Sequence, residues 1–302
     1  MTPWVHLDDV RDRARGAFLG FAVGDALGAT VEFMQATEIR AEYGVHREVI
    51  GGGWLRLRPG RVTDDTEMSL CLARAIDVSA GWSARAAADL LVAWMRAGPI
   101  DVGSTCRAGI RRYMLEGTLE GRPNEWDAGN GAAMRMVPIA LATLGDDAAL
   151  TRIAVEQAHL THNHPLSDAA SVLVGRLIHA ACLGRSMRRL RLIAEEAAAA
   201  HPKLRFDRWD GRASGYVIET LAAVLHCFFS TRSFEECVVE VVNHGGDADT
   251  TGAIAGAVAG AFYGPAELPR RWLKKLERPV AREVERLALR MVELSPVGAG
   301  PP

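Results

Sequence analysis

RGAFLGFAVGDALGA runs from Arg15 to Ala29 and TGAIAGAVAGAFYG from Thr251 to Gly264, and both carry a glycine at every fourth position. In the first these are Gly16, Gly20, Gly24 and Gly28; in the second they are Gly252, Gly256, Gly260 and Gly264. A four-residue spacing puts each set on one face of a helix. A glycine inside a helix costs about 0.5–1 kcal/mol relative to alanine, so these stripes need a compensating contact. A bare stripe lets a second backbone approach closely. The two helices are therefore expected at the centre of the molecule, with the acidic residues at their ends gathered around one cleft.

Outward from these stretches the chain reads as helix. Between Ala84 and Met95 the apolar residues Ala87, Leu90, Leu91 and Trp94 line one helical face. Leu166 to Leu183, Met187 to Ala200, Ser214 to Phe229, Phe234 to Val242 and Ala281 to Leu294 read the same way, punctuated by Gly184, Pro202, Gly211 and Pro279. Strand alternation is nearly absent, so the expected class is all-α. One domain over residues 1–302 is expected, with its core at about 15–289 and a loose tail at 296–302.

Composition narrows the function. With 35 Lys and Arg against 37 Asp and Glu, nothing recommends nucleic acid or a membrane surface as partner. Five scattered cysteines without CxxC spacing suggest neither a disulfide framework nor a zinc site, and fit a reducing cytoplasm. The first residues carry acids where a signal peptide would carry bases, and Gly252 to Gly264 is too short to span a bilayer.

Two acidic clusters carry the chemistry. Thr63, Asp64, Asp65, Thr66 and Glu67 precede the helical run MSLCLARAI, and Asp247, Asp249, Thr250 and Thr251 precede the second glycine stripe. Either cluster alone could simply cap a helix and complement its dipole. Each, however, contains one carboxylate more than a cap requires. If they converge, like charges would raise one another's pKa values unless a cation intervened. Carboxylate and hydroxyl oxygens suit Mg²⁺ or Mn²⁺, and four acids suit two divalent ions better than one.

Other residues could join such a cleft. Glu32 follows the first stripe and could activate water, and Asp101 lies in a turn among small residues. DAGNGAAMR (127–135) is read as placing Asn130 and Gly131 just before helical residues, where free amides favour an anion. SGYV (214–217) offers Tyr216 for stacking, and HNHP (162–165) offers His162 in a turn. GGGWLRLRPG (51–60) is a candidate docking patch or a plain surface loop.

GAFLGFAVGDALGATVEFM, TDDTEMSLCL, GNGAAMR, THNHP and NHGGDADTTGAIAGA together resemble the ADP-ribosylglycohydrolases, over about 15–289. The order and spacing are nearest to members that act on the nitrogenase iron protein. The resemblance implies an all-helical enzyme that holds two Mn²⁺ or Mg²⁺ ions and removes ADP-ribose from a protein arginine. It assigns Thr63, Asp64, Asp65, Asp247, Asp249 and Thr250 to the metals and Glu32 to the same centre. Asp101 would stand near the scissile bond, with Asn130, Gly131, His162 and Tyr216 lining the ADP-ribose pocket. It further implies a PII signalling protein and an ammonium transporter as regulatory partners, the latter giving peripheral membrane association. Ser104 departs from the asparagine expected there, which alters a polar contact near Asp101 and not the metal site. The alternatives are a glycohydrolase for serine-linked ADP-ribose or O-acetyl-ADP-ribose, a metal phosphohydrolase, and a non-enzymatic protein on the same fold.

Overall fold

The computed structural model describes residues 6–207 and 209–299. Its helices follow in the order α1 (Leu7–Gly28), α2 (Ala36–Tyr43), α3 (Asp64–Ser79), α4 (Ala84–Arg96), α5 (Ser104–Glu116), α6 (Val137–Ala142), α7 (Asp147–His159), α8 (Pro165–Cys182), α9 (Met187–Ala200), α10 (Val217–Ser230), α11 (Phe234–Val242), α12 (Ala248–Tyr263), α13 (Arg270–Leu273), α14 (Arg278–Leu294) and α15 (Pro296–Ala299). Among the described residues the only β pairing is three isolated bridges, so the all-α expectation holds.

The two stripes meet face to face. A methyl group on Gly16 would lie 2.3 Å from the carbonyl oxygen of Gly260, one on Gly20 2.3 Å from that of Gly256, and one on Gly24 2.1 Å from that of Gly252. The partners' numbers fall as α1 advances, so α1 and α12 run antiparallel with their backbones in contact. Gly264 is the exception to the expected stripe. It ends α12 at a φ of +87°, and Ala248 instead lies opposite Gly28. α1 and α12 are buried over most of their length, with α14 and α8 packed on the first and α11, α10 and α8 on the second. α14 shows how the outer helices contribute: it buries Val284, Leu287, Ala288, Met291 and Val292, a single i, i+3, i+4 stripe.

The structure moves some expected boundaries. α10 starts at Val217 rather than Ser214, because Asn130 N donates to Gly215 O (3.0 Å) and Val217 N to Ala128 O (3.0 Å), which ties 214–216 to the 128–130 loop. Asn130 and Gly131 do not stand directly before a helix: 131–135 is a run of turns, and α6 begins only at Val137. Residues 296–299, expected to be loose, form α15, where Val297 N donates to Leu144 O (3.3 Å) and pins the segment to the turn after α6. Residues 300–302 of that expected tail lie outside the described residues. No described helix is long and apolar enough to cross a membrane.

The antiparallel alignment sets one end of the molecule. The C-terminal end of α1 lies against the N-terminal end of α12, so Glu32 and Asp247 start out as neighbours. Gly24→Ala should therefore cost about 2 kcal/mol net of the helix-propensity gain, a fall in Tm of roughly 4–8 °C by thermal unfolding. An unchanged or higher Tm would show that the backbones are not in contact.

Candidate metal centre

α3 begins with Thr63 at its N-cap, yet the Thr63 side chain makes no capping bond. The orphan amides of this helix are served from another element. Asp25, a buried carboxylate on α1, accepts from Thr63 N (3.0 Å), Thr66 N (3.2 Å), Thr63 Oγ1 (3.0 Å) and Thr66 Oγ1. Capping from a distance leaves Asp64 and Asp65, in the first turn, free of that duty. Asp247 at the N-cap of α12 likewise makes no capping bond through its side chain. Capping therefore does not account for either cluster.

The clusters converge. Thr250 Oγ1 donates to Asp65 Oδ2 (3.2 Å), linking the N-termini of α12 and α3. Carboxylate oxygens of Glu32, Asp247 and Asp249 come within 4.8 Å of one another. Glu32 reaches this point because the loop after α1 is sewn to the loop before α12: Phe33 N donates to Gly246 O (2.6 Å) and Gly246 N to Met34 O (2.9 Å). That turn needs Gly245 and Gly246, whose φ values are +72° and +66°. Asp64 Oδ2 accepts from Gly103 N (3.1 Å), which draws in the loop carrying Asp101.

These side chains line a cavity of about 410 Å³ together with Ser104, Asn130, Gly131 and His162. Thr63 does not line it, since its hydroxyl is given to Asp25, and neither does Tyr216, which is exposed at the N-cap of α10. Glu67, the fifth acid of the two clusters, turns away to Arg61 and to Trp94 Nε1. Asn130 Nδ2 donates to Asp247 Oδ2 (2.7 Å) and to Thr220 Oγ1 (3.0 Å), so this residue holds an acid of the cluster as well as lining the cavity. Gly131 is required sterically: a methyl there would lie 2.7 Å from Cys106 Sγ and 2.8 Å from His162 Cε1.

Three participants escaped the reading of the sequence. Asp25 was readable in principle, as the one charged residue inside the glycine-striped run Gly16–Gly28. Trp54 donates its Nε1 to Glu32 Oε2 (2.7 Å) and packs at a tilt against Phe33 with ring centres 5.4 Å apart. Both rings line the cavity although 52% and 62% exposed, so the tip of the 51–60 loop is a wall of the site. Phe33 adopts a φ of +64°, rare for an aromatic residue, and no local sequence signal announces it.

The electrostatics ask for a cation. Among the described residues the lining includes Glu32, Asp64, Asp65, Asp101, Asp247 and Asp249 but no lysine or arginine. Burial pushes Glu32 up to about 8 against the hydrogen bond from Trp54, with Asp247 and Asp101 adding to the rise. Burial and the charge of Asp101 bring Asp64 to about 7. Asp65 and Asp249 rise well above the carboxylate range, first through burial and then through the charge of Asp64 on Asp65 and of Asp65 on Asp249. Asp65 Oδ1 is buried with no hydrogen-bond partner. An orphaned carboxylate oxygen in an all-oxygen donor set fits a hard divalent ion, which would take the role of the missing counter-charge.

Comparison with known proteins shows the family. The model of the ADP-ribosylglycohydrolase family matches residues 6–299. The ADP-ribosyl-[dinitrogen reductase] glycohydrolase of Rhodospirillum rubrum is 52% identical over 277 residues, covering 92% of this chain and 94% of that one. The ADP-ribosylarginine hydrolase Tri1 of Serratia proteamaculans is 31% identical, covering 88% of this chain and 75% of its own length. A solved structure described as an ADP-ribosylglycohydrolase-related protein complex superposes with a TM-score of 0.86 at 37% identity, covering 95% of this chain and 99% of that one. The chain belongs to the ADP-ribosylglycohydrolase family, hydrolases that act on ADP-ribosyl linkages.

Proposed function

We propose that this chain cleaves the bond between ribose C1 and the guanidino nitrogen of an ADP-ribosylated arginine, and that its protein substrate is the iron protein of nitrogenase. The single observation that carries the chemistry is the convergence of Asp64, Asp65, Asp247 and Asp249 beside Glu32 in one cavity. The substrate follows from the 52% identity to an enzyme named for acting on dinitrogen reductase. In this reading the whole chain, 1–302, acts as one unit. A PII protein and, through it, peripheral docking at an ammonium transporter would regulate it.

Two divalent cations, Mn²⁺ first and Mg²⁺ second, would be held by Asp64, Asp65, Asp247, Asp249 and Thr250, with Glu32 at the same centre. Thr63, behind the cavity lining, would join this set through the lone pairs left on its oxygen, which lies 3.5 Å from Asp65 Oδ2. When bound, such ions supply Lewis acidity toward water and a grip on vicinal ribose hydroxyls. The remaining steps fall to side chains. Glu32, held by Trp54, orients a water and takes its proton as the oxygen bonds to ribose C1. The C1–N bond breaks through a transition state with positive charge on the sugar, which the surrounding carboxylates stabilise. Asp101 pairs with the departing guanidine and helps return a proton to its nitrogen, giving arginine guanidinium. Asn130, Gly131, His162 and Tyr216 bind the rest of ADP-ribose.

Incubation with an arginine-ADP-ribosylated protein should release free ADP-ribose in the presence of Mn²⁺ and not in chelator. Asp247→Ala should lower that rate by at least about 100-fold, the upper range for disturbing even the outer partners of a metal site. Full activity of the variant would sink the assignment. Faster turnover of serine-linked ADP-ribose, O-acetyl-ADP-ribose or a simple phosphate ester would replace the substrate.

The carboxylates also make stability depend on pH. Their folded pKa values, about 6 for Asp25, about 7 for Asp64 and about 8 for Glu32, lie above the unfolded ones. Their contribution is complete below about pH 4 and is lost as pH rises through the folded values, so the metal-free chain weakens between about pH 4 and 8. A cation competes with these protons, so its stabilisation grows over the same window. The rise in Tm on adding Mn²⁺ after chelation should be larger at about pH 8 than at about pH 5.5. Equal rises at both would mean that the ion binds elsewhere.

A further inference from the structure

Arg135 is fully buried, yet none of its hydrogen bonds goes to a carboxylate. Its Nε donates to Gln157 Oε1 (2.7 Å), and one terminal nitrogen donates to Gln157 O (2.9 Å) and to Thr161 Oγ1 (2.7 Å). The other terminal nitrogen lies 3.8 Å from Cys106 Sγ. The Gln157 amide is itself fixed, because its Nε2 donates to Ala132 O (2.9 Å) and so turns Oε1 toward the guanidinium. A fully buried charge with neutral partners is costly, and that cost invites a functional reading.

The consequence lies one residue further on. Guanidinium nitrogens only donate, so Thr161 Oγ1 accepts from Arg135. The Thr161 proton then has one acceptor within reach, His162 Nδ1 at 2.8 Å. An Nδ1 that accepts carries no proton, and a neutral imidazole must then carry its proton on Nε2. The ring is neutral: burial and the positive charge of Arg135 take His162 down to about 3. The Nε2 side is the one beside the cavity glycines, where a methyl on Gly129 would lie 3.0 Å from Nε2 and one on Gly131 3.2 Å from it.

We propose that Arg135 and Thr161 are positioning residues that lock His162 into its Nε2–H tautomer, so that this wall of the cavity presents a hydrogen-bond donor and accepts a ligand oxygen, not a cation. The ligand class is an oxygen acceptor of the phosphate or ribose type, which deepens the ADP-ribose reading and, for affinity, rests on it. The acids of the same cavity take cationic groups, and His162 lines it as a fixed neutral donor. The locked tautomer removes an alternative in which a lone pair would meet the ligand oxygen and repel it.

Long-range proton–nitrogen correlation spectra of the ¹⁵N-labelled full chain, with His162→Asn to identify the signals, read the tautomer without any ligand. The expected result is an unprotonated Nδ1 and a protonated Nε2; a protonated Nδ1 overturns the proposal. Thr161→Val removes the relay and keeps its shape. It should mix the tautomers and weaken ADP-ribose binding in Mg²⁺ buffer about tenfold, while Thr161→Ser restores both. Unchanged nitrogen signals and affinity in Thr161→Val would also overturn it. ADP-ribose failing to bind the unaltered chain would end the reading of the cavity and not the relay, which the ligand-free spectrum decides by itself.

Discussion

The contact on which the rest of the structure depends is backbone against backbone, between Gly16, Gly20 and Gly24 of α1 and Gly260, Gly256 and Gly252 of α12. It exists because none of these residues has a Cβ. Two helices this close have little freedom to slide, since each carbonyl sits where a neighbouring side chain would have to be. The register therefore sets which termini coincide. It brings the end of α1 to the start of α12, and with them Glu32 to Asp247 and Asp249. Asp25, on the same helix, then reaches the start of α3 and holds Asp64 and Asp65 at the same place. One steric fact thus organises three separated pieces of acidic chain.

Magnitudes explain why such a cleft cannot be left to itself. Among the described residues six carboxylates line it and no lysine or arginine does. The N-termini of α3 and α12 face the acids, but a helix end offers only about half a positive charge. Two half charges do not offset six negative ones. The remainder must come from bound protons, as the raised values of Glu32, Asp64, Asp65 and Asp249 indicate, or from cations. Near neutral pH this balance makes the site responsive to divalent ions, and the large helical core supplies the stability that the cleft itself withholds.

The lining of the cavity is of two kinds. Glu32 is gripped by Trp54, with Phe33 in a left-handed conformation beside it; backbone strain of this sort persists only where the surroundings impose it. His162 and Gly131 add a neutral donor and bare backbone to the same lining, while Asn130 gives its amide protons to Asp247 and Thr220. A ligand that carries both anionic oxygens and a cationic group suits both kinds of lining, and ADP-ribosyl arginine carries both.

The sequence by itself determined the helical class, the central pair of helices and the identity of the acids, because a four-residue glycine period and two acidic runs beside helix starts are local facts. It also yielded the cavity residues Asn130, Gly131 and His162 through the resemblance. α2, α5, α6 and α7 were not singled out: α5 buries only Cys106, Gly109 and Ile110, too few to print a pattern, and α6 is only six residues long. What only the tertiary structure decided is how separated parts serve one another. Asp25 caps a helix whose N-cap residue lies 38 residues later, Trp54 turns inward from a loop that reads as surface, and Arg135 sets the tautomer of His162 through Thr161. Each depends on a hydrogen bond between residues distant along the chain, in the last case Arg135 to Thr161, and no period or motif in a linear sequence encodes such a bond.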